Sequence, residues 1–158
     1  IAMCFWNFLG AGIFGFAINP PIALYYIQGL NTTAVHGHAA LFGVYGILGI
    51  GLILFVLRGL YADRHWNYKI LGWSFWLINI GLFVMLVGSL LPIGILQAVE
   101  AIQNGYWSAR SEEFMHTDTM QIIRWLRVPG DTLLAIGELL LVYFIIGLKT
   151  GWSLREKR

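Results

Sequence analysis

Long apolar runs separated by short polar breaks dominate this chain, and the lengths of the runs predict its architecture. A helix rising 1.5 Å per residue needs about 20 apolar residues to cross the hydrocarbon core of a bilayer. Four stretches meet or approach that length, at about residues 2–18, 34–57, 70–99 and 128–148. The first stops at Asn19-Pro20-Pro21, because proline removes a backbone donor and disfavours helix in the residue before it. Thr32 and Thr33 offer side-chain caps ahead of the second. Pro92 is expected to kink the third, and Pro129 suits the first turn of the fourth. Between the first two runs, Ile22-Ala23-Leu24-Tyr25-Tyr26-Ile27 is too short to span and predicts a short interfacial helix with aromatic anchors. The pattern therefore predicts an all-α fold, a polytopic transmembrane helix bundle of about four spans.

Composition fixes the environment. The 158 residues are 58% hydrophobic and only 11% charged, with mean hydropathy +0.72, which places the chain in a membrane. A net charge of +2 is too small to imply nucleic acid. The single Cys4 allows neither a disulfide framework nor a cysteine metal cluster. The chain opens on Ile1 with no basic leader, which reads as a piece of a longer polypeptide without a signal peptide of its own.

Charge asymmetry predicts orientation. Arg58, Arg64 and Lys69 outweigh Asp63 in one loop, and Lys149, Arg155, Lys157 and Arg158 outweigh Glu156 in the tail, so both segments, including the C-terminus, are expected on the cytoplasmic side. The first loop is uncharged, and residues 100–127 are balanced; both are expected on the opposite side.

Within the second run, Thr33-Ala34-Val35-His36-Gly37-His38-Ala39-Ala40 carries the candidate chemistry. Intramembrane histidine is costly and usually functional. Residues two apart on an α-helix differ by about 200° of rotation, so the two imidazoles leave on nearly opposite sides and do not share one metal. Two readings follow: each ring ligates a separate iron, or both are polar core residues bonded to backbone carbonyls. Ala40 and Gly43 follow His36 on its face, and Phe42, Tyr45 and Gly49 follow His38. The glycines at 43, 46, 49 and 51 admit either a neighbouring helix or a macrocycle, and Gly10, Gly12 and Gly15 in the first run read as packing positions.

Residues 19–46, from Asn19-Pro20-Pro21 through the histidine motif to Tyr45-Gly46, resemble the quinol-dependent nitric oxide reductases of the haem-copper oxidase superfamily. Arg124-Trp125-Leu126-Arg127-Val128-Pro129-Gly130-Asp131-Thr132 resembles the start of that family's last helix. The resemblance covers essentially the whole chain, as the C-terminal part of a catalytic polypeptide with a larger fold of twelve to fourteen helices. It implies a high-spin haem of the b3 type held by His36 and a low-spin haem b with His38 as one of its two ligands. It also implies reduction of NO to N2O, 2 NO + 2 e⁻ + 2 H⁺ → N2O + H2O, with quinol as donor and a non-haem iron beside the high-spin haem. Such a site needs six histidines, and this chain has four, of which His65 and His116 lie in loops. The non-haem iron ligands, the second low-spin ligand and the catalytic glutamates are therefore expected upstream in the same polypeptide, and this segment is not expected to be active alone. Membrane lipid surrounds it, and a homodimer is left open. The family sits in the bacterial or archaeal cytoplasmic membrane. The alternatives are a terminal oxidase or a cytochrome c-linked nitric oxide reductase within the superfamily, and a non-haem transporter component outside it.

Haem-copper enzymes resemble one another in holding haem propionates with arginines just before the last helix, which points to Arg127 and, more weakly, Arg124. The competing reading of Arg127 is a snorkelling residue that meets lipid phosphate and water. Glu138 lies mid-span and is read as neutral or hydrogen-bonded in a helix interface, or as part of a proton path. Trp66, Trp73, Trp107, Trp125 and Trp152 read as interfacial anchors. Phe114, Ile122, Ile123 and Trp125 suggest an interfacial amphipathic helix.

Overall fold

A computed structural model describes residues 1–61 and 65–154. Asp63, Arg64, Arg155, Glu156, Lys157 and Arg158, on which much of the charge argument rests, lie outside the described residues. All regular elements among the described residues are helical. Helix α1 (Ala2–Ile18) bends by 91° into α2 (Pro21–Ile27). Pro20 takes an extended backbone at φ −56° and ψ 141°, and Pro21 opens the new helix, where its missing donor costs nothing. Three helices are each long and apolar enough to cross a membrane: α3 (Asn31–Leu60), α4 (Tyr68–Asn104), and a third stretch, Asp118–Thr150, which is described below in two parts. The bent α1–α2 pair is the fourth candidate. The chain is an all-α, multi-pass membrane bundle.

The second and third helices overrun the sequence-based limits of 34–57 and 70–99 at both ends. Thr32 and Thr33 do not cap α3. The helix starts at Asn31 behind an extended Leu30, which leaves both threonines inside the first turn. The Thr33 hydroxyl instead accepts from the Gly29 N–H at 3.2 Å. The third helix continues through Pro92 without a break, because residues Leu86–Leu90 just ahead of it open into wider i→i+5 turns. A wide turn ahead of the proline relaxes the clash its ring would make with the preceding turn of a regular α-helix. Similar wide turns occupy Asn7–Phe14 and His38–Gly46.

After α4 come a short turn at Ser108–Arg110, then α5 (Glu112–Met115), α6 (Asp118–Trp125) and α7 (Arg127–Thr150). Ile122 and Trp125 of α6 are exposed while Met120 is buried, as an amphipathic interfacial helix requires. The closest helix pairing is α4 against α7. A Cβ placed on Gly81 would sit 2.5 Å from the Leu134 main-chain nitrogen, and one on Gly130 would sit 2.5 Å from that of Met85. Small residues thus bring the two backbones together, and the buried Ser74 hydroxyl donates to the Gly137 carbonyl at 2.7 Å. Trp6, Val35, Ala39, Leu82, Met85, Leu86 and Leu90 form the core joining α1, α3 and α4. The Trp6 indole donates to Asn79 Oδ1 at 2.8 Å.

At the opposite end Trp66 is 4% exposed, which corrects its reading as an interfacial anchor. It packs edge-on against Phe144 and lies beneath the Arg58 guanidinium. Leu154 pairs with it through an isolated bridge, so the chain beyond α7 folds back over the indole. Trp73, Trp107, Trp125 and Trp152 are exposed.

Candidate functional site

His36 and His38 lie in the second turn of α3, both half-buried, and face different neighbours. The His36 Nδ1 lies 2.8 Å from the Gly10 carbonyl oxygen of α1. A Cβ on Gly15 would meet the same ring at 3.1 Å, so the small residues of α1 leave room for the imidazole. The His38 Nδ1 lies 2.8 Å from the carbonyl oxygen of Ala34, one turn back on its own helix. His38 then opens into a cleft of about 250 Å³ shared with Leu82 and Met85 of α4 and with Arg127, Asp131 and Glu138 of α7. One ring faces α1 and the other faces α4 and α7, as a two-residue spacing on a helix dictates.

These contacts fix the tautomers. A carbonyl can only accept, so each Nδ1 must carry a proton, and Nε2 is the ring nitrogen left for a further partner. Neither Nε2 makes a hydrogen bond among the described residues. Backbone bonding and metal ligation, which the sequence left as alternatives, are therefore compatible, because ligation would use the other nitrogen of each ring. A carbonyl partner on Nδ1 is the usual outer support of a metal-bound imidazole, orienting it and raising its basicity. The wide turns of α3 begin at His38, and such turns recur at functional sites.

The glycines divide in two. Gly43 is packed under Trp6, where a Cβ would lie 2.7 Å from the side chain, and Gly10 lies as tightly against Ala39. Gly49 and Gly51 have nothing within 4 Å of a built Cβ and front open space on the same helix.

Arg127 and His38 line one cleft. Arg127 Nε pairs with Asp131 Oδ2 at 2.9 Å, and its two Nη groups make no hydrogen bond among the described residues. Arg124 and Arg127 together line a second pocket of about 290 Å³ with Asn31 and Ser89. The Ser89 hydroxyl is buried without a partner among the described residues, although buried polar groups are as a rule hydrogen-bonded. Unused guanidinium donors and an orphan hydroxyl make a fitting donor set for carboxylates. Glu138 is half-buried and lines the His38 cleft. His65 is exposed, and the exposed His116 turns its Nδ1 to the Glu112 carbonyl at 3.0 Å. Among the described residues no group of three or more His, Cys, Asp or Glu side chains comes together to hold a metal ion.

Sequence reasoning missed the two residues that brace this site from a distance. Gln97 accepts the first backbone N–H of α3, and Trp6 seats α1 beside the histidine turn. A glutamine in an apolar run just after Pro92 was the available signal for the first.

A helical membrane bundle that turns one imidazole toward each of two different faces of a single helix has the geometry to meet two separate irons. The family is shown directly: residues 1–133 match the family of cytochrome c and quinol oxidase polypeptide I, and the chain belongs to it. The chain is also 32% identical over 141 residues to a nitric oxide reductase polypeptide of Stutzerimonas stutzeri, a match covering 86% of this chain and 29% of that protein. The chain thus spans under a third of that relative's length.

Proposed function

We propose that this chain is the C-terminal transmembrane part of the catalytic domain of a respiratory nitric oxide reductase that takes its electrons from quinol. The observation that carries the reading is the pair of imidazoles with Nδ1 tied to backbone and Nε2 free on opposite faces of α3. His36 holds a high-spin haem of the b3 type, and His38 is one ligand of a low-spin haem b. Paired with a non-haem iron, the high-spin haem supplies the redox centre for 2 NO + 2 e⁻ + 2 H⁺ → N2O + H2O. The ligands of that iron, the second low-spin ligand and the catalytic glutamates belong to the upstream part of the polypeptide.

The chain's own residues do three things. The Gly10 carbonyl holds the His36 ring and strengthens it as a donor. The cleft beside His38 is lined by a cation, Arg127, which would favour the reduced form of a haem held there. Arg127 and Arg124 hold haem propionates, with Asp131 keeping Arg127 in place through its Nε. The nitric oxide chemistry is supported by the motif and by the relative's name, and the quinol donor by the motif's surroundings. The basic loop and tail face the cytoplasm in this reading.

The test uses the full-length protein in native membranes. A reduced-minus-oxidised spectrum with a sharp b-type α band and NO consumption driven by reduced quinol are expected. Absence of any haem band would overturn the haem-ligand reading. Turnover with reduced cytochrome c but not quinol would move it to the cytochrome-linked class, and O2 reduction without NO reduction to the terminal oxidases.

A further inference from the structure

The helix that carries both histidines begins at Asn31, and its first backbone donor finds its partner on another helix. A helix start leaves several N–H groups without partners inside the helix, and a side chain close by normally accepts one of them. Here Gln97 of α4, only 5% exposed, accepts the Asn31 N–H with Oε1 at 2.9 Å. Its Nε2 donates to the Ala109 carbonyl and meets Met115 Sδ, each at 3.3 Å. The amide orientation is dictated by chemistry, since an N–H can meet only the oxygen and a carbonyl only the NH2 group. One turn earlier on α4, Gly94 lets the two backbones touch: a Cβ there would lie 2.6 Å from the Thr32 nitrogen.

Gln97 thus ties three segments that the sequence separates: the head of α3, the turn at Ser108–Arg110 and α5. His36 and His38 lie five and seven residues along α3, about 8 and 11 Å from Asn31 at 1.5 Å per residue. Over that length a helix transmits the position of its first turn to its side chains. We propose that Gln97 is a positioning residue that sets the depth and rotation at which α3 presents His36 and His38 to their irons. The proposal rests on the haem-ligand reading above.

The test is made in the full-length holoenzyme with two variants. Gln97→Met keeps the volume and removes all three hydrogen bonds, whereas a protonated Gln97→Glu keeps an acceptor for Asn31 and a donor for Ala109. The readouts are the iron–histidine stretch of the ferrous high-spin haem, the g-values of the oxidised low-spin haem, and turnover. Gln97→Met is expected to keep both haems, shift both spectral signatures and slow turnover on the order of ten-fold, as small misplacements of reacting centres do. Gln97→Glu is expected to restore the wild-type signatures. Should Gln97→Met fail to hold haem, recovery of haem in Gln97→Glu supports the cap, and failure of both variants overturns it. Wild-type signatures in Gln97→Met also overturn it. A wild-type protein with no histidine-ligated haem overturns the ligand reading itself, which the unaltered chain distinguishes from failure at Gln97.

Discussion

Helices α3 and α4 are both long and apolar, yet only 6% of α3's most apolar window is buried within the chain against 44% for α4. The difference lies in what each helix was built to meet. Along α4, glycines at the α7 contact and a buried serine bring main chain against main chain, so the pair satisfies itself. Along α3, the half that carries the histidines touches α1 and α4, and the half beyond Gly46 meets mostly open space. A membrane helix with little burial in its own segment keeps faces open to lipid, to a further helix or to a cofactor. Under the proposed function, the α4–α7 pair is scaffold and α3 carries the chemistry.

That contrast predicts effects of very different size and kind. In the full-length enzyme His36→Ala is expected to abolish NO turnover, checked by NO consumption in membranes, while the protein still inserts and folds. Gly130→Ala should instead attack the scaffold, since its Cβ would meet main chain that cannot rotate away. Overpacking of this kind costs about 1 to 3 kcal/mol, read as a lower unfolding midpoint in detergent. Gly49→Ala is the matched control, with nothing within 4 Å in this chain, and should leave stability unchanged. Should it nevertheless expel haem, the open face of α3 is where the macrocycle or a further helix lies.

Smaller effects separate the two sides of the comparison more finely. Trp6→Phe keeps the packing against Gly43 but gives up the bond to Asn79, at a cost of about 1 kcal/mol in thermal stability and with haem spectra unaltered. Arg127→Gln should lower the midpoint of a haem by tens of millivolts, because loss of a nearby positive charge favours the oxidised iron. On that scale 59 mV corresponds to about 1.4 kcal/mol for one electron. Unchanged midpoints with both haems present would leave Arg127 a snorkelling residue paired to Asp131.

Much of this was legible in the chain because apolar run length and proline position act locally. The break at Asn19-Pro20-Pro21, the short helix behind it and the opposed histidines all follow from geometry that a few residues enforce. What escaped was long-range. The threonines at 32 and 33 looked like caps, but the donor at Asn31 is met by Gln97, 66 residues away. Trp66 looked like an anchor because nothing nearby announces that Phe144, Leu148 and Leu154 close over it. Whether a glycine faces a helix or open space likewise depends on a partner, so Gly43 and Gly49 were indistinguishable until α1 was in place.

The central claim is that one helix serves two irons from opposite faces, and low-temperature EPR with optical spectra of the two single histidine variants in the full-length protein tests it most directly. His36→Ala should lose the high-spin signal and keep the low-spin one, and His38→Ala should perturb the low-spin signal and spare the high-spin one. Loss of the same species in both variants, with the other untouched, would contradict it.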